Sequence, residues 1–281
     1  MNLLVTGGFG FLGRNIARYF KARGYTVTGL GRDLWQPQEH LEWGFDHWIH
    51  GDITLELLNT QSTVPDMIVH CGGSGSVAFS TTEPFLDFNK TVVSTAAILE
   101  YIRTSAGAAK LIYPSSPAVH GSHGPYPIRT SAPINPVSPY GRHKRMAEEL
   151  CEQYRNCFNI DVSIIRFFSI FGNGLRKQLI WDACQKLVSG KKHVEFWGTG
   201  DETRDFLHID DAADLIYTLA ASDKKNLLLN GASGKWHTIR DVVKLLADCL
   251  HSGAEISFNQ NFKPGDPKHY QADITEAEKI P

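Results

Sequence analysis

The sequence lacks the features that mark secreted, membrane-spanning and disulfide-bonded proteins. Its five cysteines are scattered and form no Cys-x-x-Cys pair, so we expect reduced thiols. No apolar run approaches the roughly 20 residues that a membrane span needs. The first apolar run, residues 2–6, follows Met1 directly and leaves no room for a signal peptide. These absences predict a cytoplasmic protein without membrane association.

Strong charge asymmetry, metal-ligand spacing and internal repeats are absent as well. The chain has 28 basic and 30 acidic side chains, so its net charge of -2 offers no basic surface for nucleic acid. None of its 12 histidines belongs to a His-Glu-x-x-His or a two-Cys/two-His pattern, so we predict no metal site. The hydrophobic share of 42% is typical of a globular protein, and 281 residues allow one large core or two modest ones.

Short β-type runs alternate with longer amphipathic runs through the first two thirds of the chain. The predicted strands cover residues 3–5, 25–30, 46–49, 67–70, 110–113 and 162–166, and the predicted helices cover about 11–23, 54–60, 83–105 and 137–157. Parallel strands require crossover connections, and the crossover helices cover both faces of the sheet. This alternation predicts an α/β fold with a doubly wound parallel sheet, and the changed rhythm after about residue 172 predicts a smaller second lobe.

A glycine-rich turn, residues 7–13, joins the first predicted strand to the first predicted helix. Backbone amides in such a turn approach a pyrophosphate at the positive end of the helix dipole. Gly7, Gly10 and Gly13 would serve the tight turn, the close approach of the backbone and the helix packing. We therefore predict a Rossmann-type dinucleotide-binding domain over residues 1–171 and a substrate-binding lobe over residues 172–281.

The end of the second predicted strand bears on the choice of dinucleotide. An acidic residue there would hydrogen-bond the ribose 2′-hydroxyl of NAD, but Gly31 occupies this position and Arg32 follows it. A guanidinium pairs well with a 2′-phosphate, which favours NADP(H) over NAD(H). Asp33 argues in the other direction, because a shift of two residues would place a carboxylate near the ribose.

Tyr140 and Lys144 lie four residues apart in a run that begins with Pro139 and has a helical pattern. Four residues make about one helical turn, so the phenol and the ammonium share a face. A nearby cation stabilises a phenolate, which makes the pair suitable for proton exchange with a substrate hydroxyl or carbonyl. Spacing alone is equally compatible with two surface side chains.

Taken in order, these motifs resemble the extended short-chain dehydrogenase/reductase family, in particular its NAD(P)-dependent nucleotide-sugar epimerase/dehydratase branch. The resemblance extends from residue 1 to about 280 and rests on segments 7–13, 51–53, 70–73, 113–121, 140–144, 166–172, 198–206 and 263–266. It implies hydride transfer at a sugar carbon, with Tyr140 as general acid/base, Ser116 beside it, and Lys144 holding the nicotinamide ribose and lowering the tyrosine pKa. It also implies a nucleotide-sugar substrate and a homodimer formed by the helices at about 83–105 and 137–157.

The resemblance assigns further site residues by position. The cofactor set is Gly7, Gly10, Phe11, Leu12, Gly13, Arg32, Asp52, Ile53, Cys71, Gly72, Gly73, Asn89, Ser115, Tyr140, Lys144 and Phe168, and the substrate set is Ser116, Ser169, Arg204 and Lys263. Two members depart from the family pattern, because Ser169 replaces an asparagine and Lys263 replaces an arginine. Family members generally continue for about one more helix after residues 272–277, which implies either a truncated sequence or a short substrate lobe.

The residues after Ser116 reduce the number of reactions that the resemblance allows. Dehydratases of the family carry an acidic pair there, whereas this chain has Pro117 and Ala118, so a 4,6-dehydratase is a poor match. A 4-epimerase, which keeps its cofactor, and a 4-keto-sugar reductase, which exchanges it, both remain open. A non-catalytic NADP(H)-binding sensor or scaffold of the same fold is the third hypothesis.

Overall fold

The structure, a computed structural model, describes residues 1–261 and 267–280. Its strands are β1 Asn2–Thr6, β2 Thr26–Gly31, β3 His47–His50, β4 Met67–His70, β5 Lys110–Ser115, β6 Val162–Phe167, β7 Ser169–Phe171, β8 His193–Phe196, β9 Thr203–His208, β10 Leu228–Gly231, β11 Trp236–Thr238, β12 Glu255–Phe258 and β13 His269–Tyr270. Its α-helices are α1 Phe11–Lys21, α2 Glu39–Glu42, α3 Leu55–Asn59, α4 Val77–Thr82, α5 Pro84–Phe88, α6 Ser94–Thr104, α7 Pro139–Phe158, α8 Gln178–Leu187, α9 Ile209–Ala221 and α10 Ile239–Cys249. A π-helical turn, Asn89–Val93, precedes α6, and a 3₁₀ turn, Pro117–Val119, follows β5.

Seven parallel strands form the central sheet in the order β10-β6-β5-β4-β1-β2-β3. Helices α1 and α9 cover one face with apolar side chains such as Ile16, Phe20 and Ile216. Helices α3, α6 and α7 cover the other face, where Leu99 and Cys151 are buried. The predicted doubly wound, Rossmann-type fold is confirmed. The strand order reverses between β1 and β4, and ligands of such sheets bind at the carboxyl ends of strands beside this switch point.

The chain after β6 divides between the central sheet and a smaller lobe. Strands β7, β9, β11 and β13 form one small sheet, and β8 pairs with β12. Residues 209–231, which the sequence placed in the lobe, instead return to the main sheet. Helix α9 packs on α1, and β10 pairs with β6 because its apolar side chains extend the buried sheet. The chain therefore passes between the central sheet and the smaller lobe more than once.

Helix α7 shows how local sequence determines an element that carries site residues. It begins where the Ser138 hydroxyl accepts a hydrogen bond from the Gly141 amide at 3.2 Å, with Pro139 in its first turn, and it ends at Asn159 in the left-handed conformation. Its buried residues recur at helical spacing and are Gly141, Lys144, Ala147, Glu148 and Cys151. Within residues 1–261 and 267–280, no helix has both the length and the apolarity to cross a membrane.

Candidate active site

The glycine turn packs closely against its own backbone and the loop after β4 at the N-terminus of α1. Gly7 has φ +64°, and a Cβ built there would lie 2.7 Å from the Cys71 carbonyl carbon. A Cβ on Gly13 would lie 2.5 Å from the Gly7 carbonyl oxygen. Gly10 caps the helix without a side-chain hydrogen bond, and the first turn contains no acidic residue. The first-turn amides are therefore available to an anion, as a dinucleotide pyrophosphate requires.

A cavity of about 460 Å³ lies at the carboxyl ends of β1 to β4. Its lining includes many of the predicted cofactor residues, namely Gly7, Gly10, Arg32, Asp52, Ile53, Cys71, Gly72, Gly73 and Asn89. Asp33 lines it too. The Arg32 Nε atom lies 3.3 Å from Asp52 Oδ1, and both side chains are at least half exposed. The carboxylate that interacts with Arg32 is therefore that of Asp52, which follows β3, and not that of Asp33, its neighbour in sequence.

A second cavity, of about 240 Å³, lies on the other side of the glycine turn, and we call it the reacting cavity. The predicted residues that line it are Gly7, Gly10, Phe11, Leu12, Gly13, Cys71, Gly73, Ser115, Tyr140, Lys144 and Phe168. The two cavities share the glycine turn and the loop after β4. A space divided on either side of a helix N-terminus fits a dinucleotide, whose pyrophosphate lies between two nucleosides.

The predicted catalytic residues come together where β5 meets α7. Ser116 lies close enough to Tyr140 to lower the pKa of its phenol, and the Tyr140 amide donates to the Ser80 hydroxyl at 2.9 Å. Lys144 follows one turn later and is buried, and its Nζ donates to the Pro114 carbonyl oxygen at 2.9 Å. The helix therefore presents a phenol and an ammonium to the reacting cavity beside a hydroxyl from the end of β5.

Burial dominates the electrostatics of this cluster. Burial raises the pKa of the Tyr140 phenol, the neighbouring Ser116 hydroxyl lowers it, and the Asp87 charge raises it. The Lys144 ammonium donates to the Pro114 carbonyl in this structure. Burial in turn lowers the pKa of Lys144 to about 8. The expected role of Lys144 in lowering the tyrosine pKa stays a prediction.

The lowered pKa of Lys144 predicts a specific dependence of stability on pH. Between the folded pKa of about 8 and the ordinary lysine pKa of 10.5, the unfolded chain binds more protons than the folded chain, so the free energy of unfolding rises with pH. Relative to Lys144→Met, the wild type should gain on the order of 2–3 kcal/mol across this window. Urea denaturation at a series of pH values measures the difference. An exposed lysine variant, Lys191→Met, is the control, and a pH-independent difference between wild type and Lys144→Met would contradict the prediction.

A buried ion pair that the sequence did not predict supports the loop that contains Ser116. Arg166 on β6 donates from Nε and Nη2 to the two carboxylate oxygens of Glu148 on α7, at 2.9 and 2.7 Å. Ser115 donates to the same carboxylate at 2.6 Å. Arg166 Nη1 also contacts His120 Nε2 at 3.0 Å and the Thr130 carbonyl at 2.8 Å. This network ties the loop that follows Ser116 to the main sheet.

The predicted substrate residues are less closely grouped. Ser169 begins β7 and pairs with Phe206, and Arg204 on β9 donates to the Thr203 carbonyl at 2.8 Å. Neither residue lines the two cavities described above. Lys263 lies outside the described residues. The reacting cavity instead contains Gly75, Lys177 and Gln178, which the sequence did not predict. Gly75 and Lys177 lie in loops of no particular pattern after strands β4 and β7, and Gln178 begins α8.

A sequence model of the NAD dependent epimerase/dehydratase family matches residues 3–230. The chain belongs to this family. The match contains the glycine turn, Ser116, Tyr140 and Lys144, and it confirms the predicted family and an NAD(P)-dependent enzyme.

Similar proteins within the NAD dependent epimerase/dehydratase family act on different sugars. The chain is 27% identical to a UDP-glucose 4-epimerase of Azospirillum brasilense over 94% of this chain and 82% of the relative. It is 25% identical to a UDP-glucuronate 4-epimerase of Thermodesulfobacterium geofontis over 99% of this chain and 89% of the relative. A solved UDP-N-acetylglucosamine 4-epimerase from Methanobrevibacter ruminantium, in complex with UDP-N-acetylmuramic acid, superposes with a TM-score of 0.90 at 26% identity, covering 99% of this chain and 91% of that one. All three are named as 4-epimerases of a UDP-sugar, and they differ in the sugar.

Proposed function

We propose that the protein is an NAD(P)-dependent nucleotide-sugar 4-epimerase. The observation that carries the proposal is the junction of Ser116, Tyr140 and Lys144 at a cavity that also contains the glycine turn. The names of the similar proteins support the epimerase over the 4-keto-sugar reductase. They equally support an enzyme over the sensor or scaffold of the same fold.

The residues of the reacting cavity have distinct tasks in this proposal. When bound, NAD(P) supplies a reversible hydride acceptor. Tyr140 takes the proton of the sugar C4 hydroxyl as that carbon is oxidised, and returns it when the carbon is reduced on the opposite face. Ser116 holds the reacting oxygen beside the phenol by a hydrogen bond. Lys144 places a buried ammonium one helical turn away, where it binds a ribose hydroxyl.

A panel of nucleotide sugars tests the proposal. The purified protein is incubated with each sugar and NAD(P)⁺, the products are separated by chromatography, and absorbance at 340 nm is followed. An epimerase should form the C4 epimer without a net change in absorbance. Stoichiometric consumption of NAD(P)H with a 4-keto sugar would instead identify a reductase. Cofactor binding without turnover of any sugar would support the sensor or scaffold.

We propose that Arg32 directs the cofactor preference towards NADP(H). It lines the first cavity with an exposed guanidinium that is already attracted to the Asp52 carboxylate. Arg32→Ala should therefore raise the Michaelis constant for NADP(H) by about tenfold or more and that for NAD(H) much less, since only the 2′-phosphate offers a charged partner. Steady-state kinetics or fluorescence titration with both cofactors measures this. Equal effects on the two cofactors would overturn the assignment and leave Asp33 as the determinant.

We further propose a cytoplasmic homodimer with a dinucleotide-binding domain and a substrate lobe in which Ser169, Arg204 and Lys263 contact the nucleotide sugar. The dimer part is supported by exposed apolar side chains along α5 to α7, where Phe85, Val93 and Met146 are 77%, 47% and 43% exposed. Light scattering of the purified protein should give twice the chain mass. A mass equal to one chain would overturn the dimer without affecting the proposed reaction.

A further inference from the structure

A strongly basic cavity adjoins the reacting cavity. It has a volume of about 620 Å³ and is lined by Phe11, Arg14, Arg18, Glu39, Trp43, Asn173, Gly174, Leu175, Arg176 and Lys177. We call it the basic cleft and define it by its four cations, Arg14, Arg18, Arg176 and Lys177. Among the described residues, Glu39 is the only acidic side chain that lines it, although the whole chain has a net charge of -2. The gathering of cations is therefore local, and it needs an explanation of its own.

Two of the four cations, Arg14 and Arg18, have their charge partly neutralised by neighbouring groups. Arg14 Nη2 donates to the Phe9 carbonyl at 2.7 Å, and the Arg14 guanidinium lies 5.0 Å from the centre of the Trp43 ring. Arg18 Nη2 donates to Asn15 Oδ1 at 3.0 Å and lies 3.9 Å from a carboxylate oxygen of Asp210. Their charges are therefore held by carbonyl, amide, carboxylate and aromatic groups of the chain itself.

The other two cations, Arg176 and Lys177, lack a carboxylate partner among the described residues. Over residues 1–261 and 267–280, the side chains of Arg176 and Lys177 form no ion pair. Burial lowers the pKa of Arg14, the Glu39 charge raises it, and the neighbouring Arg176 charge lowers it. The cleft therefore gathers four cations against the carboxylate of Glu39, and this excess of positive charge favours the binding of an anion.

Lys177 connects the basic cleft to the chemistry. It lines the reacting cavity together with Tyr140 and Lys144, and a Cβ built on Gly75 would lie 3.6 Å from its Nζ. Phe11 and Leu175 also line both spaces, so the cleft and the reacting cavity adjoin. A sugar whose C4 hydroxyl lies at Tyr140 would therefore bring its neighbouring ring substituents towards Lys177.

We propose that the basic cleft receives a carboxylate on the substrate sugar, so that the substrate class is the acidic nucleotide sugars rather than the neutral ones. The inference rests on the proposed function and adds the charge of the sugar to it. A guanidinium and an ammonium beside each other suit a carboxylate, because Arg176 offers a fork of donors and Lys177 a point charge. The similar proteins include enzymes named for neutral and for uronic sugars, so overall similarity does not distinguish an acidic from a neutral sugar substrate.

The test compares UDP-glucuronate with UDP-glucose, which differ at C6, where a carboxylate replaces a hydroxymethyl group. The wild type should prefer UDP-glucuronate by about tenfold or more in kcat/KM, because charge-assisted hydrogen bonds discriminate at this level. Lys177→Gln and Arg176→Gln should each lower this preference about tenfold, mainly through the KM of UDP-glucuronate. Lys177→Arg should restore it. Lys191→Gln, which removes an exposed lysine that does not line the cleft, is the matched control and should leave the preference unchanged.

The outcomes separate this inference from the proposed function. Equal use of both sugars by the wild type, or a preference that survives both glutamine variants, overturns the inference while the epimerase stands. If no nucleotide sugar is turned over, calorimetric titration of the NAD⁺-loaded protein decides. Tighter, Lys177-dependent binding of UDP-glucuronate than of UDP-glucose would then support the inference and reject the epimerase. Absence of UDP-glucuronate binding would overturn the inference.

Discussion

Tyr140→Phe is expected to lower kcat for sugar epimerisation by about 10²–10⁴-fold while cofactor binding stays intact. The phenol hydroxyl is the group whose pKa Ser116 lowers at the reacting cavity, whereas the ring is part of the cavity wall in the first turn of α7. Removing one oxygen therefore deletes the proton carrier and leaves the wall of the cavity in place. Steady-state kinetics on the best sugar of the panel, combined with fluorescence titration of the cofactor, measures both quantities.

Tyr126→Phe is the matched control, because this tyrosine is 76% exposed and lines neither the reacting cavity nor the cofactor cavity. It should have wild-type kcat. Activity of Tyr140→Phe within about tenfold of the wild type would show that another group moves the proton, since general acid/base catalysis contributes more than this. Loss of cofactor binding in the same variant would show that the phenol has a binding role instead.

Arg166→Met is expected to lower the free energy of unfolding by about 3–5 kcal/mol, the largest effect on stability that we predict. The guanidinium is 1% exposed and makes two hydrogen bonds to the carboxylate of Glu148, which is itself fully buried. Without Arg166, a buried carboxylate remains with only Ser115 and the more distant Arg145 as partners. The cost of that uncompensated charge exceeds the loss of the hydrogen bonds themselves.

Two further variants make this prediction specific. Arg166→Met combined with Glu148→Leu removes both charges and should recover much of the lost stability, because an apolar pair of similar volume avoids the burial of a lone charge. Arg103→Met disrupts the exposed pair with Glu100 and should cost less than about 1 kcal/mol. Guanidinium chloride denaturation measures all three. A double variant that is less stable than Arg166→Met alone would show that packing, rather than the unpaired charge, dominates.

Much of the fold and part of the site could be predicted because they depend on short segments of chain. Alternation of apolar runs predicted the strands β1 to β6 and the helices α1, α3, α5, α6 and α7, since each element must bury one face. It did not predict the short helices α2 and α4. The capped start of α7 places Tyr140 and Lys144 on the same face whatever surrounds them. The lobe boundary was harder to predict, because the apolar pattern of α9 does not show which sheet it covers.

The sequence by itself determined the alternating fold, the glycine turn at the N-terminus of α1, and the one-turn spacing of Tyr140 and Lys144. All three are properties of neighbouring residues, so backbone geometry is enough to produce them. Only the tertiary structure decided that Lys144 donates to Pro114, that Arg166 pairs with Glu148, and that Arg14 and Arg176 line one cleft. Those partners are separated by tens to hundreds of positions along the chain. Their proximity, and the pKa shifts and unpaired charges that follow from it, arise only when the sheet and its helices pack.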